Sequence, residues 1–400
     1  MKITLITQYY KPEMGAPQNR LYEMCIGLKK MGADVSIITG MPNYPTGKIF
    51  KEYKNTFSMS EVIDDIVVKR YWLYASNSKK AIPRILNMFS FSITSLCSLP
   101  YLIKRKNDFI IVESPPLLLG VTGWILARLS RTKLVMNISD LWPLSAKELG
   151  AIKGDGMIYK ILEKIEKFLY RKSLFSMGQS QEIVDYIKEH GAKKVYLFRN
   201  GVDPSRFTEE ERNFEKNGKP IILTYTGLLG FAQGIAGICK NINFKDINAE
   251  FHIYGAGGEQ DEIEDFIREN PDNGIFYHGK VSRDEIPNVL KESDCTLIPL
   301  VKNIYGAVPS KIYESMASGL PIIFSGEGEG KRIVEENNLG WTSGALDYET
   351  LKANITLAAQ SPELLREKSN NCMMCAKEKF NRPNQIKSLY NYIEHIIKAT

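Results

Sequence analysis

Histidine is scarce in this chain, with four residues in 400 (His190, His252, His278 and His395), and none stands at the spacing of a metal-binding set. A metal centre built on imidazole ligands is therefore not expected. The six cysteines (Cys25, Cys97, Cys239, Cys295, Cys372, Cys375) are scattered along the chain, which excludes a disulfide framework. Cys372 and Cys375 make one C-x-x-C, but it falls in a polar helical stretch with no second pair to complete a site. No tract of biased composition occurs, so the whole chain is expected to fold. The first residues lack the basic, apolar and small-residue succession of a secretory signal. Together with the scattered thiols, that predicts a cytoplasmic protein with reduced cysteines.

Apolar residues make up 44% of the chain and charged residues 24%, the proportions of a soluble globular enzyme. Its length suits two domains, each large enough to bury its own core. The net charge of +6 is unevenly spread: residues 1–200 hold 30 Lys and Arg against 17 Asp and Glu, and residues 201–400 hold 22 against 29. A basic first half fits a phosphate-rich partner or an anionic membrane surface, and also a solvated surface that binds neither.

Short apolar runs alternate with helical patterns. Residues 2–7, 34–39, 109–113, 133–138 and 174–177 read as buried strands in the first half, and 221–225, 250–254, 274–278, 295–299 and 321–324 in the second. Helical spacing lies between them, for example at 19–31, 259–270, 283–292, 309–318 and 329–337. Such alternation predicts an α/β protein with parallel sheets covered on both faces. The turn-rich Asn200-Gly201-Val202-Asp203 sets a boundary near residue 199, giving one Rossmann-like domain over 1–199 and another over 200–380. A last helical stretch, about 381–398, has no strand after it.

The uncharged segment 85–103, apart from its basic flanks, is long enough to span a membrane. Pro100 and the recurring Asn87, Ser90, Ser92, Thr94, Ser95 and Ser98 argue instead for a helix that covers a sheet. Lys79, Lys80, Arg84 and the Lys104-Arg105-Lys106 cluster keep open a helix lying in a membrane interface.

The stretch from Ala307 to Ile323 carries the most chemistry. Pro309 and Ser310 suit a helix start, where free N–H groups and the positive dipole end favour an anion such as a diphosphate. Lys311 adds positive charge there, and Glu314, one turn on, offers a carboxylate able to accept two ribose hydroxyls. The alternative is an ordinary capped helix with a surface glutamate. Glu113 and Asp140 follow first-half strands at their carboxyl ends, where ligands of such sheets bind. Either could orient a hydroxyl, or serve as a loop cap or surface charge.

With these residues in place, the sequence resembles the retaining GT-B glycosyltransferases of family four. Gln8-Tyr9-Tyr10-Lys11-Pro12-Glu13-Met14-Gly15-Ala16 is similar to that family's N-terminal glycine loop, and Asn200–Asp203 with Phe207 to its interdomain signature. Tyr254-Gly255-Ala256-Gly257, Gly279-Lys280-Val281 and the Pro-Ser-Lys-x-x-Glu helix with Ala317-Ser318-Gly319-x-Pro321 resemble its donor-binding half in order and spacing. The resemblance implies two Rossmann-like, doubly wound domains facing across a cleft, the second holding a nucleotide-sugar donor and the first an acceptor, with helix 381–400 crossing back onto the first. It implies donor contacts at Gly15, Ala16, Gly227, Gln233, Gly234, Tyr254, Gly255, Gly279, Val281, Gly306, Ala307, Val308, Ser310, Lys311 and Glu314. Catalytic roles fall to Glu113, Asp140 and Lys311, with no metal, no cofactor beyond the co-substrate, and no nucleic-acid partner.

Two departures from the family pattern stand out. The first glutamate of the usual Glu-x₇-Glu falls on Gly306, and the loop Thr226–Gly234 lacks the usual arginine and lysine, with Gln233 near the lysine's place. Phosphate charge is then left to backbone amides, the helix dipole and Lys311, with Arg199 and Arg332 as weaker candidates. A histidine common near Glu113-Ser114 is also missing. With Asp140-Leu141-Trp142-Pro143, these departures resemble the branch containing bacterial N-acetylfucosamine transferases of surface-polysaccharide assembly. That branch implies a UDP-linked N-acetylated or deoxy amino sugar, in capsule or O-antigen biosynthesis. A polyprenyl-diphosphate-linked saccharide acceptor would account for both the basic first half and the apolar 85–103 segment, with the chain peripheral on the inner face of the cytoplasmic membrane. Two rivals stand beside this reading: a GT-B-type UDP-sugar epimerase, and a noncatalytic nucleotide-sugar-binding subunit.

Overall fold

The structure, a computed structural model, describes all residues except 14, 79, 80, 151, 155, 208–211, 399 and 400. Met14 of the glycine loop and the flanking Lys79 and Lys80 thus lie outside the described residues. The chain divides into two compact units, Met1–Arg199 with Pro383–Thr400, and Asn200–Arg382.

The first unit is built on strands β1 (Lys2–Ile6), β2 (Asp34–Gly40), β3 (Ser58–Ile63), β4 (Ile66–Tyr71), β5 (Phe109–Ser114), β6 (Lys133–Ile138), β7 (Phe175–Gly178) and β8 (Val195–Leu197). They form one sheet in the order β3-β4-β2-β1-β5-β6-β7-β8, parallel throughout except for the β3–β4 hairpin. All six residues of β5 are buried, as a strand covered on both faces requires. Helix Ala16–Lys30 buries Leu21, Met24, Cys25 and Leu28, one stripe at helical spacing, in the same apolar cluster as β1 and β2. The closing helix Arg382–Lys398 contributes Ile386, Leu389, Ile393 and Ile396 to that cluster, and Tyr392 meets Phe175 edge-on at 5.2 Å.

Four strands of the two sheets escape the sequence pattern, and three of them, unlike β4 with its Ile66-Val67-Val68 run, carry no strong apolar run. β3 alternates exposed and half-buried residues at the sheet edge, and its turn to β4 relies on Asp64 and Asp65 in left-handed conformation (φ 49° and 55°). β8 is three half-buried residues, and the third is β14, introduced below.

The apolar 81–105 region forms a helix (Ala81–Thr94), a tight turn (Ser95–Ser98) and a second short helix (Leu99–Arg105) lying against the sheet. Its stretch Ile85–Arg105 has the length and hydropathy (mean 1.3) to cross a membrane, yet 39% of its most apolar window is buried within the protein. The recurring polar side chains have partners: Asn87 accepts from Gln8 (2.5 Å) and donates to the Tyr74 carbonyl (2.8 Å), and Thr122 of the adjacent helix Leu117–Leu129 donates to the Ser92 carbonyl (2.8 Å). A sheet-covering helix with one solvent-facing stripe results.

The second unit is an all-parallel sheet of β9 (Ile221–Leu228), β10 (Ala249–Ala256), β11 (Ile275–Tyr277), β12 (Cys295–Pro299), β13 (Ile322–Ser325) and β14 (Gly340–Ser343), in the order β11-β10-β9-β12-β13-β14. This is the doubly wound order: successive strands are added outward from β9 on one side and, from β12 on, outward on the other. β10 alternates buried and half-buried residues, sending Phe251 and Ile253 into the core.

Glu166, on helix Met157–Lys172, is fully buried and accepts hydrogen bonds from the hydroxyls of Tyr170 (2.8 Å) and Tyr186 (3.2 Å). Burial pushes its carboxyl up to about 7, and the two hydroxyls offset only part of that. A carboxyl raised in the folded state contributes most to stability below its unfolded pKa, and that contribution is lost as pH rises through the folded value. Urea midpoints should therefore fall between pH 5 and pH 8 more steeply in the parent than in Glu166→Gln; equal slopes would count against this role.

Candidate functional site

In the second unit the site begins where two neighbouring strands part. β9 and β12 pair over only two residues, Leu223 with Cys295 and Thr224 with Thr296. Beyond them, at the carboxyl ends, a small cavity is lined by Thr224, Thr226, Thr296, Lys311, Glu314 and Ser315 among others. This is the switch point of the sheet, where doubly wound proteins bind nucleotides. Thr296 donates to Ser315 (2.7 Å) and Ser315 to the Lys311 carbonyl (2.8 Å), fixing helix Lys311–Ala317 against β12.

Glycines set the shape of the floor. β9 and β10 run in register with Gly227 opposite Gly255. A Cβ on Gly255 would fall on the Gly227 carbonyl oxygen, and one on Gly257 would fall on the Leu229 carbonyl. Gly227 itself (φ 146°) has no room for a Cβ, because the end of the Lys311 side chain occupies that space. The Lys311 ammonium lies 5.3 Å from the centre of the Tyr225 ring, whose hydroxyl donates to the Leu228 carbonyl at 2.6 Å. Burial lowers the Lys311 pKa, and the nearby Glu314 carboxylate opposes the shift. A cation so poorly hydrated gains more than a surface lysine would from an anion placed beside it.

The remaining second-unit candidates supply backbone more than side chains. Gly306 is buried with φ 85°, Val308 points into the apolar core, and Ser310 is exposed at the helix start without capping it. The helix opens through tight turns instead, Ile312 N–H to the Pro309 carbonyl (3.2 Å) and Tyr313 N–H to the Ser310 carbonyl (3.1 Å). Ala307 is half-buried between them. Gly279 (φ 73°) accepts the Gly255 N–H at 2.8 Å, Val281 follows half-buried, and Tyr254 stacks on His278 with 4.4 Å between ring centres. Gln233 keeps its side-chain oxygen buried with no hydrogen-bond partner among the described residues. Arg332 is exposed on helix Glu329–Glu336.

Gly234 (φ 65°) opens helix Ile235–Asn241, whose first N–H groups are already taken. The Glu259 carboxylate accepts Ile235 N–H at 2.9 Å and Ala236 N–H at 3.4 Å. The sequence alone does not single out Glu259; its signal is the Gly-Ala-Gly-Gly-Glu run leaving β10.

In the first unit, Gly15 precedes helix Ala16–Lys30, of which Ala16 is the first residue. Glu13 ties this glycine loop to the loop after β2, accepting N–H groups of Tyr10 (3.2 Å), Asn43 (2.8 Å) and Tyr44 (2.8 Å). Burial pushes the Glu13 carboxyl up to about 7 against these three amides. Arg70, fully buried, donates to the Lys11 and Gly40 carbonyls and to Glu61.

Glu113 is not a surface charge. It is buried at the end of β5 and accepts from Arg20 (3.1 Å), Asn137 and Ser139, while Arg20, also buried, reaches Gln179 at 3.2 Å. Burial raises the Glu113 carboxyl, and Arg20 is the main opposing influence. Asp140, just past β6, is half-buried; burial raises its carboxyl too, with Ser145 and the Leu141 amide opposing. Lys311, Glu314, Gly227 and Gly255 therefore converge on one crevice, whereas Gly15, Ala16, Glu113 and Asp140 belong to the other unit. Among the described residues no group of three His, Cys, Asp or Glu side chains is arranged to hold a metal ion.

Two Rossmann-like units, one with a half-buried lysine at its switch point, define a class of α/β proteins whose switch points bind nucleotides. Residues 206–373 match the family described as glycosyl transferases group 1, and residues 15–201 match the glycosyl transferase 4-like domain. The chain belongs to the group 1 glycosyltransferases and has the GT-B fold. It is 26% identical over 345 residues (82% of this chain, 84% of the relative) to a protein of Escherichia coli (strain K12) named for colanic acid biosynthesis as glycosyl transferase WcaI. It is 24% identical over 319 residues (74% and 78%) to the Escherichia coli UDP-Gal:alpha-D-GlcNAc-diphosphoundecaprenol alpha-1,3-galactosyltransferase. Among solved structures, sucrose-phosphate synthase from Thermosynechococcus elongatus superposes with a TM-score of 0.76 at 16% identity, covering 100% of both chains. Anabaena HepE in complex with UDP superposes with a TM-score of 0.71 at 14% identity, covering 99% of this chain and 100% of that one.

The buried Arg20–Glu113 pair gives a test on stability. Arg20→Met strands a buried carboxylate and should cost about 3–5 kcal/mol in urea unfolding. Adding Glu113→Gln should restore much of the loss, and an additive double mutant would show the two residues uncoupled.

Proposed function

We propose that this glycosyltransferase moves an N-acetylated or deoxy amino sugar from a UDP-linked donor to a lipid-linked saccharide in bacterial surface-polysaccharide assembly. Transfer retains the anomeric configuration, uses no bound metal, and takes place on the cytoplasmic side. Lys311 carries the reading: a desolvated ammonium at the switch point, with Glu314 one helical turn away. The UDP bound to HepE, the UDP-sugar and diphosphoundecaprenol substrate in the galactosyltransferase's name, and the colanic acid assignment of WcaI support it.

As the bond from the anomeric carbon to the diphosphate oxygen breaks, negative charge grows on the leaving group. Lys311 then stabilises the transition state more than the ground state. The departing phosphate oxygen takes the acceptor proton on the same face of the sugar, which accounts for retention. Glu314 is assigned to the ribose hydroxyls. Of the two carboxylates in the first unit, Glu113 already has both oxygens engaged by Arg20, Ser139 and Asn137. Asp140 is the one left to orient an acceptor hydroxyl.

Thermal-shift screening should show stabilisation by UDP-sugars that rises with concentration, and stabilisation by GDP-sugars alone would reject the donor assignment. Lys311→Met is expected to lower kcat by about 10²–10³-fold, and Glu314→Gln to raise the donor KM by roughly tenfold or more. Turnover should persist in EDTA, and NMR of the product should show the donor's anomeric configuration. Unchanged turnover in Lys311→Met would favour a noncatalytic subunit; isomerised donor without acceptor would favour an epimerase.

A further inference from the structure

The outer edge of the first sheet is β3, and its sequence carries none of the usual guards. Edge strands of soluble proteins are kept from pairing by proline, by lysine, by a bulge or by an unpaired charge. β3 has no proline and no lysine, and it pairs with β4 residue for residue, from Ser58–Tyr71 to Ile63–Ile66, without a bulge. Its one charge, Glu61, is taken by Arg70 and by the Tyr53 hydroxyl (3.2 Å). Two apolar side chains stand in solvent on or beside it, Phe57 at 55% exposed and Val62 at 66%.

The backbone of this edge is in phase for a partner. In an antiparallel pair, residues alternate between exchanging hydrogen bonds and turning their N–H and C=O groups outward. The Trp72 N–H donates to the Phe57 carbonyl at 2.8 Å, so Phe57, Met59, Glu61 and Ile63 face β4. Ser58, Ser60 and Val62 therefore turn their backbone groups away from the sheet, and all three are exposed.

Charge says which strand fits. Residues 51–65 stand apart from the basic surplus of the first unit, with two Lys against four Asp and Glu. Lys51 and Lys54, both exposed, precede β3, and the exposed Asp64 and Asp65 follow it. The Asp65 side chain is 93% exposed even with Lys29 3.1 Å away, and Asp64 accepts only the Tyr22 hydroxyl (2.7 Å). An antiparallel copy of the same strand sets the basic start of each β3 against the acidic turn of the other. A twofold axis at Ser60 uses every outward group: Ser60 meets Ser60 of the partner subunit, Ser58 meets Val62 of the partner subunit, and each pair exchanges both N–H···O bonds. An axis at Glu61 would instead oppose two like charges.

We propose that β3 is the pairing edge for a second copy of this chain, joining two eight-stranded sheets across a twofold axis. The same register sets Phe57 beside Ile63 of the partner subunit, covering apolar surface that the single chain leaves in water.

Sedimentation equilibrium of the full chain over a wide concentration range tests the proposal. The parent should show a reversible monomer–dimer equilibrium, and hydrogen exchange over residues 57–63 should slow as the dimer fills. Ser60→Pro removes an N–H that faces away from β4, at an edge position where proline is tolerated. Each dimer loses that bond twice, so association should weaken by about tenfold or more. Val62→Lys, which adds a guard charge to an exposed side chain, should weaken it too, and it carries the test if Ser60→Pro fails to fold. A chain that stays monomeric at every concentration, a dimer that the variants leave intact, or a dimer without slowed exchange at 57–63 would overturn the proposal. So would slowed exchange there in a monomer, since a segment of the same chain would then cover the edge. None of these readouts requires turnover, so they are independent of the sugar-transfer reading.

Discussion

In the second unit, the features that could meet a diphosphate depend on how closely the backbones of β9 and β10 approach. Gly255 sits against the Gly227 carbonyl, Gly257 against that of Leu229, and the surface above Gly227 is bare of side chain. Only such a floor lets Lys311 lie down over it, half out of water, above the Tyr225 ring. A methyl group at 227 would lift the lysine; one at 255 would push the strands apart. The lowered pKa of Lys311 follows from that geometry, since the ammonium has given up hydration for a ring face and one carboxylate. The geometry thus leaves a poorly hydrated ammonium beside the Thr226–Gly234 loop, which has no basic residue of its own.

The first unit follows another logic. Its polar groups near the sheet edge largely satisfy one another: Glu13 holds two loops together through three amides, Arg70 fastens the same loops from below through two carbonyls, and Arg20 closes on Glu113. Buried groups paired in this way resist rearrangement, because breaking one contact strands its partner. They therefore act as a frame for the less committed residues beside them. Asp140 is such a residue, half-buried and placed after the strand that carries Asn137.

The parts of this arrangement that were legible in the sequence are those encoded locally. β5, β6 and β12 are continuous apolar runs, and the glycines of the 254–257 and 227–234 segments mark backbone crowding by their own presence. The helix at Lys311 begins two residues later than its Pro309 signal because tight turns, not a capped α-turn, open it. What escaped depends on distant partners. Glu259 reaches Ile235 across 24 positions, Glu13 reaches Asn43 across 30, and Arg20 reaches Glu113 across 93. A lone glutamate or arginine carries no sign of such a partner until the fold supplies it. β3 escaped for a different reason: as an edge strand half in water, it needs no apolar run, whereas the run of β4 inside the sheet is broken by Arg70, whose buried partners the sequence does not show.

The two halves of the chain carry opposite net charge, but at a donor site the nearest charges would outweigh the net charge of either half. A donor diphosphate would be met at the switch point by one desolvated lysine within a few ångströms, where screening by salt is weak. The acidic surplus of residues 201–400 is spread over exposed groups, and beyond a Debye length of about 8–10 Å at physiological salt it adds little to that contact. The basic surplus of residues 1–200 includes groups that hold the fold together, such as the fully buried Arg70 and Arg105, which pairs with Asp34 at 2.6 Å. Net charge summed along the chain therefore says little of what either unit binds until each cation is placed, because a buried or paired one is not offered to a ligand.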